Sequence, residues 1–351
     1  MAIVHIDGWT CAVKTGKFSV GDLVLFFEID CFLPASDPRF MPLSNFSTWN
    51  GTKGFHVKSI MMGKEISQGL VYPIKEFPEV TNVLDAVKKT EGGDVAVEKI
   101  MKMSFEAPLK VQKWELSATE STRSLGAPPA FIPKTDIERV QNCGNLYTAE
   151  YKNVVFQEST KMDGMAMTVY FVRRDSQWYK SVPPLPAGSK SDMPQGRIGV
   201  CSRKHDLPES SAEGRWWEVA LANGLPKKLA NINRNVAVQG ELCGESIARN
   251  REGFAKGQHE FYVYRMFDID AQSFVPPKVT EERAGLLGLR HVPVQGYFKL
   301  HEIAKNQEGL LKRAVGTGVH GKNREGLVYK NCTDGRCFKV ISNTYLVENG
   351  E

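Results

Sequence analysis

One short segment of this 351-residue chain combines residue types that could carry out covalent chemistry. Lys161, Asp163 and Gly164 stand together in the segment FQESTKMDGMAMTVYF, between two runs that are typical of strands. A lysine amine can form a covalent intermediate with an electrophile once it has lost its proton. On extended backbone, Asp163 would project to the same side as Lys161, because it follows two residues later. A solvated residue at a strand end has the same local sequence and stays open as the alternative.

Five further segments follow Lys161, and each places polar or charged residues within or beside a strand-like run. They are CSRKHDL (201–207), QGELCGE (239–245), FYVYRMFDID (261–270), REGLVYK (324–330) and CFKVISNTYL (337–346). Each one alone is a weak pattern, whereas their order along the chain is informative.

Taken with Lys161, these segments resemble the motifs of the covalent nucleotidyltransferases, the superfamily of ATP-dependent ligases and capping guanylyltransferases. Within it, FIPKTDIERVQN (131–142), GELCGE (240–245) and FKVISNTYL (338–346) are most similar to RNA ligases of the Deinococcus type, relatives of phage T4 RNA ligase 2. The segment IDGWTCAVKTGKFSVGDLVLFFEIDCFLP (6–34) is similar to the OB module of that branch. The resemblance covers nearly the whole chain and implies an ATP-dependent RNA ligase.

The resemblance implies that Lys161 is the nucleophile, which attacks the α-phosphorus of ATP and holds AMP as a phosphoramidate. Free lysine is protonated at neutral pH, so neighbouring cations are expected to lower its pKa. Lys339 and a divalent metal ion are the candidates, and Lys339 would also contact the AMP phosphate in the transition state. Asp163 would organise the amine or hold a metal-bound water. A surface lysine on an edge strand is the alternative for Lys339.

The same resemblance assigns further residues to the metal ion and the nucleotide. Glu325 would bind Mg²⁺ or Mn²⁺, because these cations favour carboxylate oxygens. Glu241 would accept a hydrogen bond from the ribose, Tyr264 would stack on adenine, and Arg203 would contact the nucleotide phosphate. Each assignment has an ordinary alternative, since a carboxylate can face solvent and a strand aromatic such as Tyr264 can be a core residue.

Two positions depart from the pattern of the T4-like relatives. Thr160 stands directly before the nucleophile, where those relatives have glutamate, so adenine contacts are expected from Glu158, from Thr160 or from the backbone. The last motif contains a single lysine, Lys339, where those relatives carry Lys-x-Lys. Lys330 is therefore the candidate for the missing phosphate contact.

The elements that must position these residues fall into two predicted domains. Within the first domain, residues 1–116, short strand-like runs between tight turns reach to about residue 75, which favours a small barrel or sandwich. Residues 78–116 are mixed and polar, which predicts a helical or irregular extension. The segment SATESTRSLGAPPA (117–130) has the composition of an interdomain linker. Residues 131–351 intermix strand-like and helical runs without a regular repeat, which predicts an α+β domain with antiparallel sheets. By resemblance, this domain is an ATP-grasp-like nucleotidyltransferase preceded by an OB-type barrel.

Residues 1–75 of the first domain are expected to form an incomplete barrel that contacts RNA. Family OB modules carry another strand ahead of the part that resembles VHIDGWTCAVKTG (4–16), so the barrel is expected to lack its first strand. Its remaining strands would present lysines toward the RNA backbone, namely Lys14, Lys17, Lys58 and Lys64. A formal net charge of +5 permits such a polyanionic partner without requiring it.

Composition limits the class of protein. The chain has no uninterrupted apolar run of about 18 residues and no signal-peptide pattern at its start, so no membrane partner and an intracellular location are expected. Seven cysteines without a Cys-x-x-Cys pair indicate reduced, mostly structural thiols.

The expected function is the sealing of 3′-hydroxyl and 5′-phosphate RNA ends by a monomer that uses ATP and a divalent cation. The expected substrate is a nick in duplex RNA or in an RNA/DNA hybrid. Within the superfamily, a capping guanylyltransferase or a DNA ligase stays open, although these usually place an OB domain after the last motif. From another class, a nucleic-acid-binding protein with an inactive site is disfavoured, because nucleophile, acids and phosphate lysine are all present.

Overall fold

The computed structural model divides the chain into two compact units. The first comprises Met1–Ala118 with Leu346–Glu351, and the second comprises Thr119–Tyr345. The residues that the structure describes are 1–43, 46–49, 51–63, 65–114, 124–210 and 215–350. Residues 117–123 of the predicted linker lie outside the described residues. None of the helices in the described ranges has the length and apolar content needed to cross a bilayer.

The first unit consists of short antiparallel strands and two helices. Its strands are β1 (Ala2–Ile6), β2 (Trp9–Val13), β3 (Val24–Phe27), β4 (Cys31–Pro34), β5 (Phe46–Trp49), β6 (Thr52–His56), β7 (Ser59–Met62), β8 (Glu65–Gln68), β9 (Leu70–Pro73) and β10 (Gln112–Lys113), and its helices are α1 (Pro78–Glu91) and α2 (Gly93–Ile100). The strands pair as β1–β2, β3–β9, β7–β8 and β10–β4–β6–β5. Aromatic rings from strands and loops meet the apolar faces of both helices in one core, which includes Phe27, Phe40, Phe55, Phe77, Leu84 and Ile100.

Within the described residues, these strands form four separate ladders instead of one continuous barrel sheet. The expectation that one barrel strand is missing stays a prediction.

The second unit contains two sheets and most of the helices. Its strands are β11 (Glu138–Arg139), β12 (Val155–Lys161), β13 (Met165–Arg173), β14 (Asp192–Met193), β15 (Gly196–Cys201), β16 (Asp206–Leu207), β17 (Val236–Gly244), β18 (His259–Asp268), β19 (Ser273–Phe274), β20 (Arg290–His291), β21 (Val294–Lys299), β22 (Gly326–Asn331) and β23 (Cys337–Ile341). The helices that follow the first two are α3 (Trp216–Ala222), α4 (Leu225–Ile232), α5 (Pro277–Leu286), α6 (Leu300–Ile303), α7 (Gln307–Ala314) and α8 (Asn343–Asn349), of which α8 runs beyond the end of the second unit. The predicted α+β class is confirmed.

The larger sheet has the order β14–β15–β13–β17–β18–β19, with β16 beside β15 and β20 beside β18. Helices α3, α4 and α5 cover one face, where Val169, Phe171 and Val238 belong to the same core as the helical residues. Tyr170 and Val172 lie in a second cluster with Ile132 and Ile269. Because both faces of β13 are buried, its sequence is an almost continuous apolar run.

The smaller sheet has the order β11–β23–β22–β12–β21, so β12 is an interior strand that ends at Lys161. Phe156 at its start joins a core with Leu310 and Ala314 of α7 and with Leu327 and Tyr329 of β22. A three-residue turn then leads directly into β13 of the larger sheet. Lys161 is therefore held at the point where the two sheets connect.

Candidate active site

Three lysines of the smaller sheet share one face. Lys161 lies opposite Gly326 and Gln157 lies opposite Lys330 in the β12–β22 register. In the neighbouring pair, Val328 lies opposite Lys339. Alternate residues of a strand project to the same side, so Lys161, Lys330 and Lys339 all belong to the face that carries Gln157. Lys339, the cation predicted near the nucleophile, thus lies on the same face of the sheet as Lys161.

Acidic side chains, however, dominate the surroundings of Lys161. Its Nζ donates a hydrogen bond to Glu325 Oε2 at 2.6 Å. Burial alone would lower the pKa of Lys161, but the negative charges of Glu325 and Glu241, together with Asp163, outweigh burial and raise the pKa above its ordinary value. The prediction that neighbouring cations lower this pKa is therefore wrong for the protein's own side chains. Lys339 acts instead on Glu325, whose carboxylate it helps to keep charged.

Glu241 and Glu325, the two acids that act most strongly on Lys161, are buried, and burial disfavours their charged forms. Burial raises the pKa of Glu241 to about 8, against the attraction of Lys161. Burial also raises the pKa of Glu325, again opposed by Lys161. Such a surplus of carboxylate groups fits a hard divalent cation, which binds through one or two carboxylates and completes its shell with water and substrate phosphates. Among the described residues, no three potential ligands lie close enough to form a metal cage by themselves.

The turn after Lys161 is fixed by side chains from distant segments. Asp163 N donates to Glu252 Oε1 at 2.8 Å, and Tyr345 donates from its hydroxyl to Asp163 Oδ2. Arg251 Nη1 lies 3.6 Å from the same Oδ2 and donates to the Tyr345 hydroxyl at 3.0 Å. Since β12 ends at Lys161, strand alternation does not govern Asp163, and its carboxylate points to Arg251 and Tyr345.

Gly164 allows this turn to lie against β17. A Cβ at this position would come within 2.4 Å of the Leu242 carbonyl oxygen and within 2.9 Å of Glu241 Cγ. Backbone cannot move away as easily as a flexible side chain, so a larger residue would displace the turn. The glycine of the sequence motif thus has a packing role between the Lys161 turn and Glu241.

Three of the residues predicted to bind the nucleotide belong to the larger sheet or to its connections: Glu241 lies on β17, Tyr264 on β18, and Arg203 in the turn between β15 and β16. Glu241 is opposite Tyr262 in the β17–β18 register. Tyr264 is a β-bulge residue, because Gln239 pairs with Arg265 while the next residue, Gly240, pairs with Val263. Bulges re-aim side chains beside active sites.

Electrostatic interactions link these three residues to one another. The charge of Arg203 contributes to the pKa of Glu241, and the charge of Glu241 contributes to that of Tyr264. Arg203 also forms an ion pair with Asp136 of the FIPKTD segment. Glu241 therefore interacts electrostatically with Lys161, with Arg203 and with Tyr264.

Glu158 and Thr160 do not belong to this group. They lie on the face of β12 opposite Lys161, since they alternate with it along the strand. Arg313 Nε donates to Glu158 Oε2 at 2.6 Å, and the Tyr329 hydroxyl donates to the same oxygen at 2.7 Å. Thr160 Oγ1 accepts from Gln295 Nε2 at 3.1 Å. The predicted adenine contact from Glu158 needs correction, because this carboxylate binds the smaller sheet to α7.

Replacing Glu158 with glutamine should therefore affect folding more than catalysis. Glu158 is 2% exposed, whereas Arg313 is 37% exposed. Weakening a pair that is buried on one side should lower the free energy of unfolding by about 2 kcal/mol, measured by denaturant titration. Glu308→Gln, which disrupts an exposed i,i+4 pair on the same helix, is the matched control. Loss of nucleotide binding in a fully stable Glu158→Gln protein would restore the original assignment.

Lys330 is also displaced from its predicted role. Its Nζ donates to Gln157 Oε1 at 3.3 Å, and burial lowers the pKa of Lys330 to about 8. Its register position is four residues from that of Lys161, or about 13 Å along the strands. A second phosphate contact beside Lys161 is therefore not expected from Lys330.

Three of the four lysines predicted to contact RNA line one groove of the first unit. The groove has a volume of about 540 Å³ and includes Lys14, Lys17, Lys58 and Tyr72 in its lining. Lys17 Nζ lies 5.2 Å from the centre of the Tyr72 ring. Lys64 lies outside the described residues.

The sequence did not identify Arg251, Glu252 or Tyr345. Tyr345 lies within the segment CFKVISNTYL, whereas Arg251 and Glu252 belong to a loop without a periodic pattern. Their function follows from contacts between segments far apart along the chain, which local sequence does not encode.

Two family models and several solved structures match this chain. The family described as RNA ligase matches residues 154–341, and the one described as an OB-fold domain matches residues 1–74. An apo mutant of the Naegleria gruberi RNA ligase is 32% identical with a TM-score of 0.78, and the match covers 98% of this chain and 91% of that chain. The same ligase with PPi is 31% identical with a TM-score of 0.78, covering 98% and 91%. A mutant with ATP and Mn is 31% identical with a TM-score of 0.78, covering 98% and 92%. No curated protein matches the chain.

Proposed function

This chain belongs to the RNA ligase family, and we propose from that premise that it seals 3′-hydroxyl and 5′-phosphate RNA ends with ATP and a divalent cation. The observation that carries this proposal is the position of Lys161, which ends an interior strand among the carboxylates of Glu325, Glu241 and Asp163. The motifs quoted from the sequence favour the Deinococcus-type branch. The substrate we propose is a nick in duplex RNA or in an RNA/DNA hybrid.

In the first step, the unprotonated Lys161 amine attacks the α-phosphorus of ATP. A nitrogen–phosphorus bond forms, the bond from that phosphorus to the bridging oxygen breaks, and pyrophosphate leaves with its electron pair. The attacking nitrogen gives up one proton to solvent and keeps the other, which leaves a phosphoramidate. Lys339, on the same sheet face, is placed to balance the charge that develops on the phosphoryl oxygens.

The contact between Lys161 and Glu325 sets the resting state of the nucleophile. While Glu325 is a free carboxylate, it holds the ammonium form of Lys161 at 2.6 Å. A divalent cation at Glu325, Mg²⁺ or Mn²⁺, would supply positive charge that weakens the attraction of Glu325 for the ammonium form of Lys161. It would also neutralise charge on the phosphates of ATP. Glu241, Tyr264 and Arg203 would orient the nucleoside and its phosphate.

In the second step, a 5′-phosphate oxygen of RNA attacks the phosphorus of the lysine-bound AMP, and the Lys161 nitrogen leaves. In the third step, the RNA 3′-hydroxyl attacks the activated 5′-phosphate and AMP leaves, which forms the phosphodiester bond. The unit Thr119–Tyr345 contains all the groups that we assign to the first step. The first step therefore needs no group from a second copy of the chain, and we propose a monomer as the active form.

Incubation with α-³²P-labelled ATP and Mg²⁺ followed by denaturation tests the proposal. Label should remain on the protein, whereas γ-labelled ATP should leave none, because the γ-phosphate departs with pyrophosphate. Equal labelling from GTP would favour a capping guanylyltransferase. A folded protein that acquires no label from either nucleotide would contradict the proposal.

The groove lysines should affect RNA contact without affecting adenylylation. Replacing Lys14, Lys17 and Lys58 together by alanine should weaken nick sealing and flatten its salt dependence, by a slope of roughly 0.7 to 0.9 for each lost phosphate contact. Transfer of label from ATP to the protein should not change. A triple alanine variant with the same change in charge at exposed lysines outside the groove, Lys75, Lys88 and Lys89, is the control. If both triple variants seal nicks with the same rate and the same salt dependence, the groove lysines do not contact RNA.

A further inference from the structure

The loop that supplies Arg251 and Glu252 has an unusual backbone. Ala248, Arg249 and Asn250 are consecutive residues with φ angles of 46°, 56° and 53°. The left-handed region is unfavourable for residues with a Cβ, and three in succession are rarely seen. Strain of this kind persists only where surrounding contacts impose it, and it concentrates at functional sites.

The side chain and carbonyl of Asn250 hold this loop in place. Asn250 Nδ2 donates to the Phe254 carbonyl at 2.9 Å, and Phe254 N donates back to Asn250 Oδ1 at 2.7 Å. Lys322 Nζ donates to the Asn250 carbonyl at 3.1 Å. These contacts fix the direction in which the chain enters Arg251.

From this loop, Arg251 and Glu252 reach the turn after the nucleophile together with Tyr345. Glu252 accepts a hydrogen bond from the backbone N–H of Asp163. Arg251 forms an ion pair with Asp163 Oδ2, and the Tyr345 hydroxyl donates a hydrogen bond to the same oxygen. Arg251 also lies 5.8 Å from the Tyr345 ring centre and donates to its hydroxyl. The three side chains come from two separate segments of chain and converge on one residue of the turn.

We propose that Arg251 and Tyr345 are positioning residues, which act through Asp163 to hold the Lys161 turn during adenylylation. This inference rests on the proposed function. The contact from Lys161 Nζ to Glu325 must break when the amine moves to the α-phosphorus, so it cannot hold the nucleophile in the transition state. The contacts to Asp163 do not involve Nζ and can persist through the step. They restrict the backbone from which the amine attacks.

Tyr345→Phe provides the sharpest test, because it removes the hydroxyl and keeps the ring beside Arg251. At saturating ATP, the single-turnover rate of adenylylation should fall about 10-fold, as expected when a nucleophile loses part of its orientation. The ATP concentration for half-maximal rate and the thermal midpoint should stay near parent values. Tyr179→Phe, which removes a hydroxyl that donates to Asp192 at a surface site, is the matched control and should change nothing.

A double-variant cycle distinguishes this role from simple stabilisation. Arg251→Met should also slow adenylylation, and the combined variant should lose less than the product of the two single losses, since both act through Asp163. Arg251→Lys, which keeps the charge, should recover part of the rate. A Tyr345→Phe protein with the parent rate, or one whose rate loss matches a loss of folded protein, would overturn the inference. Absence of labelling in the parent protein would instead overturn the proposed function.

Discussion

Replacing Lys161 with alanine should abolish covalent labelling by ATP and the sealing of a 5′-phosphorylated nick. Alanine has no nucleophile, so the nitrogen–phosphorus bond cannot form, and no other lysine of the shared sheet face occupies the same position. The register puts Lys330 about 13 Å along the strands. The loss should exceed about 1,000-fold, in line with the removal of other covalent nucleophiles.

The same variant should still bind RNA and should slowly seal a nick that is supplied already adenylylated. That last step needs no amine, because the activated phosphate is already present on the RNA. Lys152→Ala, at an exposed lysine ahead of β12, is the control for loss of a positive charge. Labelling that persists in Lys161→Ala would assign the covalent chemistry to a different residue.

Replacing Glu325 with glutamine should slow adenylylation by about 100-fold, the effect expected when a charge that assists phosphoryl transfer is removed. The amide oxygen can still accept from Lys161 Nζ, so the change isolates the negative charge from the hydrogen bond. A metal-binding role further requires that the Mg²⁺ concentration for half-maximal rate rises. RNA binding should be little changed.

Glu308→Gln, at an exposed position of α7, is the control for loss of a carboxylate charge. A parent-like rate for Glu325→Gln at limiting Mg²⁺ would mean that Glu325 serves only as a hydrogen-bond partner of Lys161. A slower rate with an unchanged Mg²⁺ requirement would separate the charge of Glu325 from metal binding. The rate and the Mg²⁺ requirement of Glu325→Gln together show whether Glu325 binds the metal ion, and neither measurement requires a change at Lys161.

The sequence predicted the parts of the fold and the site that depend on local pattern. The α+β class and the OB-fold domain are confirmed. Lys161, Glu241 and Glu325 were identified from separate motifs, and the structure places their charges close together. Local pattern sufficed here because each residue lies within or directly beside a strand whose sequence is itself distinctive.

The residues that were wrongly placed or missed depend on geometry that the motifs do not contain. Glu158 lies three positions before Lys161, and an odd separation on a strand puts two side chains on opposite faces. The carboxylate of Glu158 therefore lies on the side of β12 that packs against α7. Arg251 and Tyr345 reach Asp163 from segments about 90 and 180 residues away, and no periodicity encodes a contact over such separations.

The bulge at Tyr264 also bears on how this site can evolve. Before the bulge, Phe261 and Val263 face the core under α3 to α5, and after it Met266 faces the same core while Phe267 faces the opposite one. The apolar alternation of β18 thus changes phase at Tyr264, which has no residue opposite it on β17. Substitution at this position leaves both cores in register, whereas deletion would exchange the faces of the residues on one side of it. A change of the side chain that we assign to the nucleobase therefore leaves the register of β18 intact and alters only the local packing of Tyr264, whereas loss of the position itself would shift the strand.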